Sequence, residues 1–144
     1  MKRLVAYMAA ALLVAGCSGS TRPLPAESMP PAPIAPGGWA SIGGIGGSGG
    51  QGGAGMELPL DGHETAIDAA CSGNGTLVVQ LGDVTAAPAP AVVFRCGGHD
   101  EVSTSRFVLT DSIRGTATIV ASVIQGPADL YNSSFWVSIE QPKS

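Results

Sequence analysis

Apolar and polar residues alternate through the second half of the chain. Residues 76–81 (TLVVQL) put Leu77, Val79 and Leu81 on one face, the period of two expected of a half-buried strand. Residues 116–123 (TATIVASV) repeat the pattern with Ala117, Ile119, Ala121 and Val123, and residues 135–140 (FWVSIE) with Phe135, Val137 and Ile139. In residues 92–96 (VVFRC), Val92, Phe94 and Cys96 face one way and Val93 and Arg95 the other. Shorter runs cover 64–71, where Thr65, Ile67, Ala69 and Cys71 share a parity, and 106–110 (RFVLT). Turn signals separate the runs: Gly73-Asn74-Gly75, Gly82-Asp83 before Pro88 and Pro90, Gly97-Gly98, Asp111 to Gly115, and Gly126-Pro127. Asn74-Gly75 predicts a hairpin between 64–71 and 76–81, because both residues tolerate the positive φ of a tight turn. Six or seven strands without a helical period predict an all-β fold over residues 56–144. The expected architecture is a small antiparallel β-sandwich, immunoglobulin-like or jelly-roll-like.

The first half follows other rules. Lys2 and Arg3 precede an apolar run over residues 4–14. That run is shorter than the ~20 helical residues needed to span a bilayer and fits the h-region of an export signal. It ends in Val14-Ala15-Gly16-Cys17. This segment resembles the lipobox of bacterial lipoproteins, an apolar residue and two small ones before a cysteine. The resemblance implies removal of residues 1–16 and a diacylglycerol on the Cys17 thiol. An ordinary secretory signal is the competing reading, since Ala15 and Gly16 suit that cleavage too. Two or three acyl chains, at about 0.8 kcal/mol per buried methylene, would hold the chain stably on a membrane.

Residues 17–55 read as a disordered tether in two regimes. Pro23, Pro25, Pro30, Pro31, Pro33 and Pro36 favour extended polyproline II. The next stretch, residues 37–55, has eleven glycines in nineteen positions and reads as a flexible coil. Trp39, Ile42 and Ile45 stand out there, and two readings remain for them: docking on the domain, or drift within a linker.

Composition narrows the partners. The 144 residues carry a formal charge of −4, and loss of Lys2 and Arg3 leaves five basic residues against eleven acidic ones. Such a surface does not neutralise phosphates, so nucleic acid is excluded, and it does not attach to anionic lipid by charge. With Cys17 assigned to lipid, Cys71 and Cys96 remain, and an exported domain permits them a disulfide.

Candidates for chemistry are few. Cys96-Gly97-Gly98-His99 has a metal-ligand spacing, but Cys71 is available to oxidise Cys96 and no methionine follows His99 to complete a copper set. No Gly-x-Ser-x-Gly elbow is present for a hydrolase, and Asp61, Glu64 and Asp68 read as a solvated face. Trp136 has the opposite parity to its strand neighbours and, with Tyr131, is the candidate for recognition; ordinary packing is the alternative for Trp136. The lipobox, the Ala/Gly/Pro-rich spacer and the Cys71 and Val92–Cys96 strands together resemble small lipoproteins of high-GC Gram-positive bacteria. The expected protein is a lipid-anchored, extracytoplasmic binding or interaction module without catalytic residues, metal or cofactor. Its expected partners are the membrane, through Cys17, and an envelope protein or wall glycan. A purely structural envelope domain is the first alternative, and a small metal-binding or hydrolytic protein the second.

Overall fold

A computed structural model describes residues 28–48, 53–83, 91–126, 129 and 132–144. Cys17, with the rest of residues 1–27, and Tyr131 lie outside the described residues. Eight strands are formed: β1 (Trp39–Ser48), β2 (Gly53–Asp61), β3 (Ala66–Gly73), β4 (Thr76–Asp83), β5 (Ala91–Arg95), β6 (Gly98–Val108), β7 (Arg114–Ile124) and β8 (Ser134–Pro142). They make two four-stranded antiparallel sheets, β1-β8-β3-β6 and β2-β7-β4-β5. The pairs β1–β8, β2–β7, β3–β6 and β4–β5 nest inside one another. The chain is therefore one long antiparallel ribbon, folded at β4–β5 and wound so that β3–β8 and β4–β7 close it into two sheets. That is the jelly-roll form of the expected β-sandwich.

The core follows the alternation. Leu77, Val79, Ala117, Ile119, Ala121, Phe135, Val137 and Ile139 are all buried between the sheets. Cys71 in β3 and Cys96 just after β5 form a disulfide across a sequence separation of 25, joining the two sheets. A loop of that length contributes roughly 3 kcal/mol in the chain-entropy account, useful in a domain too small for a large core.

Several expectations need correction. The domain does not begin at Met56, because the glycine-rich segment expected as flexible coil supplies β1 and the start of β2. Ile45 joins the core and Trp39 is half-buried, so these two dock, while Ile42 stays exposed. Glycine is required by β8, whose Phe135 points inward and Trp136 outward. A Cβ on Gly47 would stand 2.9 Å from the Phe135 ring, and one on Gly46 2.6 Å from Trp136 Cε3. The composition that mimics a linker is thus a strand cut to fit two aromatic neighbours.

The second correction concerns the turn at Asn74-Gly75. It joins β3 and β4, which lie in different sheets, so it is a crossover and not a hairpin. Gly73 and Gly75 take positive φ (83° and 140°), and among the described residues no non-glycine residue does. Asn74 instead offers its carbonyl to the Ser133 hydroxyl and to Gln125 Nε2, tying the crossover to the chain before β8.

Third, all eight residues of β3 are buried, not one face of it. Residues 28–36 form a proline-rich strap over the outer face of the first sheet, with Pro30 buried and the Ser72 hydroxyl donating to the Ser28 carbonyl. β6 also begins earlier than expected, at Gly98, because an edge strand with a partly solvated face needs no apolar alternation.

Gly46→Ala should destabilise the domain by about 1–3 kcal/mol, the usual cost of overpacking, whereas Gly37→Ala, which meets nothing within 4 Å, should stay within about 0.5 kcal/mol. Urea unfolding of both variants measures this. In a Trp136→Ala background most of the Gly46→Ala cost should disappear.

Candidate functional site

The outer face of the first sheet carries charges where a covered face normally carries apolar side chains. Asp68 on β3 and Arg106 on β6 are direct cross-strand partners, and Glu140 on β8 pairs in register with Ala66, one pleat along. The strand period puts all three side chains on the outer side, opposite Ile67, Ala69 and Ile139. Arg106 Nη1 donates to Asp68 Oδ2 at 2.6 Å and to Glu140 Oε2 at 2.8 Å. Its guanidinium lies over the Trp39 ring, 4.5 Å from the centroid, a cation–π contact. All four strands of the sheet thus contribute one member each.

The acids are deeply placed: Glu140 is fully buried and Asp68 is 7% exposed. Asp68 Oδ1 and Glu140 Oε1 find no hydrogen-bond partner among the described residues. Burial, and then the neighbouring Glu140 charge, push the Asp68 carboxyl above its ordinary value of 3.8, with Arg106 opposing. Burial also works against the Arg106 charge, but its hydrogen bond to Glu140 and the fields of both acids raise its pKa overall. Two carboxylates share one guanidinium, leaving one negative charge in excess.

A groove of about 390 Å³ opens over this cluster. Asp68 and Arg106 line its floor, Thr104 and Ser105 of β6 one side, and Pro33, Ile34 and Pro36 of the strap the other. A second groove of about 540 Å³ lies where the strap's start passes Ser72 and the first residues of β6, including His99. The outer face of the second sheet exposes Val93, Val120 and Ile124.

The residues singled out from sequence are scattered around this site. Trp136 is half-buried and lies flat on β1, with its Nε1 3.3 Å from where a Gly44 Cβ would stand; it does not line the groove. Cys71 and Cys96 are in the disulfide. His63 Nδ1 meets Asp61 Oδ2 at 2.8 Å, and the His63 backbone N–H, donating to Asp61 Oδ1, holds that exposed carboxyl below its ordinary range. His99 Nε2 stands 3.7 Å from Asp100 Oδ1 on the exposed start of β6. Among the described residues no three His, Cys, Asp or Glu side chains gather as a metal set. Asp68 was expected on a solvated face and is the most buried aspartate described. Sequence reasoning missed the cluster because Asp68, Arg106 and Glu140 lie 34 to 72 positions apart. The one usable signal was a carboxylate in an alanine-rich strand (Ala66-Ile67-Asp68-Ala69-Ala70).

Fold and groove define a class: a jelly-roll sandwich with a groove over a charge cluster on one sheet face. No protein-family model matches the sequence, and no curated protein matches it. Among solved structures, the chain is similar to TmCBM61 in complex with beta-1,4-galactotriose, at 14% identity over 63% of this chain and TM-score 0.49. The match spans 62% of that protein's own length. It is also similar to a structure of Bacillus endospore appendages, which form disulfide-linked pili, at 15% identity, 74% of this chain, 88% of the other and TM-score 0.38. No helix among the described residues is long and apolar enough to cross a membrane.

Removing the shared cation should be costly. Arg106→Leu should lose about 3 kcal/mol in chemical denaturation, since it leaves two buried carboxylates uncompensated, and replacing Asp68, Arg106 and Glu140 together with leucine should recover most of it. Asp68 should also set a pH slope. It binds its proton more tightly folded than unfolded, so its contribution is complete below the unfolded value of 3.8 and is lost as pH rises through the raised folded pKa. From about pH 4 upward the melting temperature of the wild type should fall relative to Asp68→Asn; parallel curves would show that Asp68 does not titrate as argued.

Proposed function

We propose that this chain is a lipid-anchored, extracytoplasmic binding module of the bacterial cell envelope that acts without catalysis. The observation that carries the binding reading is the groove over Asp68. The partly exposed Arg106 guanidinium lies on its floor, against an apolar wall of Pro33, Ile34 and Pro36. Arg106 fixes both carboxylates in one geometry, which suits holding a ligand in a preorganised site. The anchoring reading is supported by the lipobox resemblance ending at Cys17, and the extracytoplasmic one by the disulfide, which forms in oxidising compartments.

The docked strap changes how the anchor works. With residues 28–48 lying on the domain, only the eleven steps from Cys17 to Ser28 separate lipid from fold. At roughly 3.3–3.6 Å per residue the domain stays within about 40 Å of the bilayer. The tether expected over residues 17–55 would have carried it well beyond that. The groove then faces envelope material close to the membrane.

The full-length chain expressed in a bacterium should incorporate an alkyne-palmitate label and enter the detergent phase of Triton X-114. Cys17→Ser should lose the label and move to the aqueous phase; an unlabelled wild type would overturn the anchor. The detergent-solubilised chain should also cosediment saturably with isolated cell envelopes. Failure to do so would leave the structural alternative.

A further inference from the structure

The proline strap lies over a cluster whose charges do not balance. Arg106 Nη1 donates to Asp68 Oδ2 and to Glu140 Oε2. The other two carboxylate oxygens, Asp68 Oδ1 and Glu140 Oε1, are sealed from solvent and have no partner among the described residues. Because both acids grip the same nitrogen, their carboxyl groups lie side by side under one cover. Two ionised acids and one guanidinium leave a net negative charge there, and an uncompensated buried charge strongly opposes burial.

Both defects have one remedy. A proton on Asp68 Oδ1, donated to Glu140 Oε1, gives each orphan oxygen a partner and brings the cluster to neutrality. It closes a ring that runs from Nη1 to Oδ2, from Oδ1–H to Oε1, and from Oε2 back to Nη1. Burial, then the Glu140 charge, favour that proton against the opposing field of Arg106, and a hydrogen bond between the two carboxyl groups adds to them.

The cover carries no charge of its own, since residues 28–36 read SMPPAPIAP. Pro30 is buried, the Ser72 hydroxyl donates to the Ser28 carbonyl, and the Trp39 N–H donates to the Pro36 carbonyl. Facing the cluster, β3 contributes Asp68, β6 Arg106 and β8 Glu140, while β1 brings only Trp39 and Ser41, which do not titrate. His99, Asp100 and Glu101 stand on the exposed start of β6, beside the strap's first residues.

We propose that Asp68 and Glu140 hold one proton between them beneath the strap, and that losing it to solvent releases the strap from the sheet. Water then relieves the excess charge, and the strap leaves without breaking a strand ladder. The closed strap binds the proton more tightly than the open one, so protonation holds it shut and rising pH opens it. This release depends on neither the anchor nor the groove's ligand. On the anchor reading above it has a further effect, because the tether lengthens from eleven steps between Cys17 and Ser28 to twenty-two between Cys17 and Trp39. The domain's reach from the bilayer then about doubles.

The test labels single cysteines in the detergent-solubilised full-length chain with N-ethylmaleimide between pH 4 and 8.5, read at the substituted residue by peptide mass. Ala70→Cys, on the covered outer face of β3, reports the strap. Thr104→Cys, exposed beside it on β6, corrects for thiol ionisation, and Ala121→Cys, buried between the sheets, reports unfolding. Protection at residue 70 relative to residue 104 should fall as pH rises, by up to about tenfold per pH unit, the limit for one proton, while residue 121 stays protected. Asp68→Asn and, separately, Glu140→Gln remove the excess charge and should leave residue 70 protected at every pH. Protection at residue 70 that ignores pH with the native cluster, a fall that persists in either variant that folds, or a parallel fall at residue 121 would each overturn the proposal.

Discussion

Phe135 and Trp136, adjacent on β8, set the constraint on which the first sheet depends. One ring enters the core and the next lies on the outer face, so the neighbouring strand meets an aromatic on both sides. Only glycine leaves room for both at Gly46 and Gly47. That strand covers what would otherwise be the free edge of β8. The price is a strand with few side chains of its own, held by its ladder to β8, by Ile45 in the core and by Trp39 at its start. Because β1 is the outermost partner of the nested ribbon, the chain before it is delivered to the outer face of the same sheet. The strap and the groove follow from that delivery.

The second sheet leaves its outer face to solvent, whereas the first covers its own, and the covered face is where the charges are. Burying two carboxylates and a guanidinium there is not an efficient source of stability, since apolar residues of similar size pack as well or better. Local rules of burial are most often broken where a site is being built. The broken rule here coincides with a groove, an unpartnered carboxylate oxygen and an apolar wall. Trp39 lies under the guanidinium and limits its freedom further, so strap, strand and charge cluster act as one unit.

Much of the sandwich was legible in the chain. The alternation in residues 76–81, 116–123 and 135–140 marked β4, β7 and β8 and their inward faces, because a strand buried on one side must repeat every second residue. The strands buried on both sides or on neither were harder to read. β3 is covered on both faces, so its polar positions looked solvated; β6, at an edge, has little pattern. β1 was hidden by composition, since glycine density normally signals the absence of structure.

The chain's own pattern was enough for the all-β class, the core faces of the regular strands, the two cysteines of the disulfide and the acidic balance. Each of these is local or additive, a matter of period, count or charge. Three features came from long-range pairing instead: Asn74-Gly75 crosses between sheets, a glycine-rich segment is a strand, and Asp68, Arg106 and Glu140 meet beneath a proline strap. These depend on which strands become neighbours, and pairing between residues far apart in the chain leaves no trace in the local pattern of either partner.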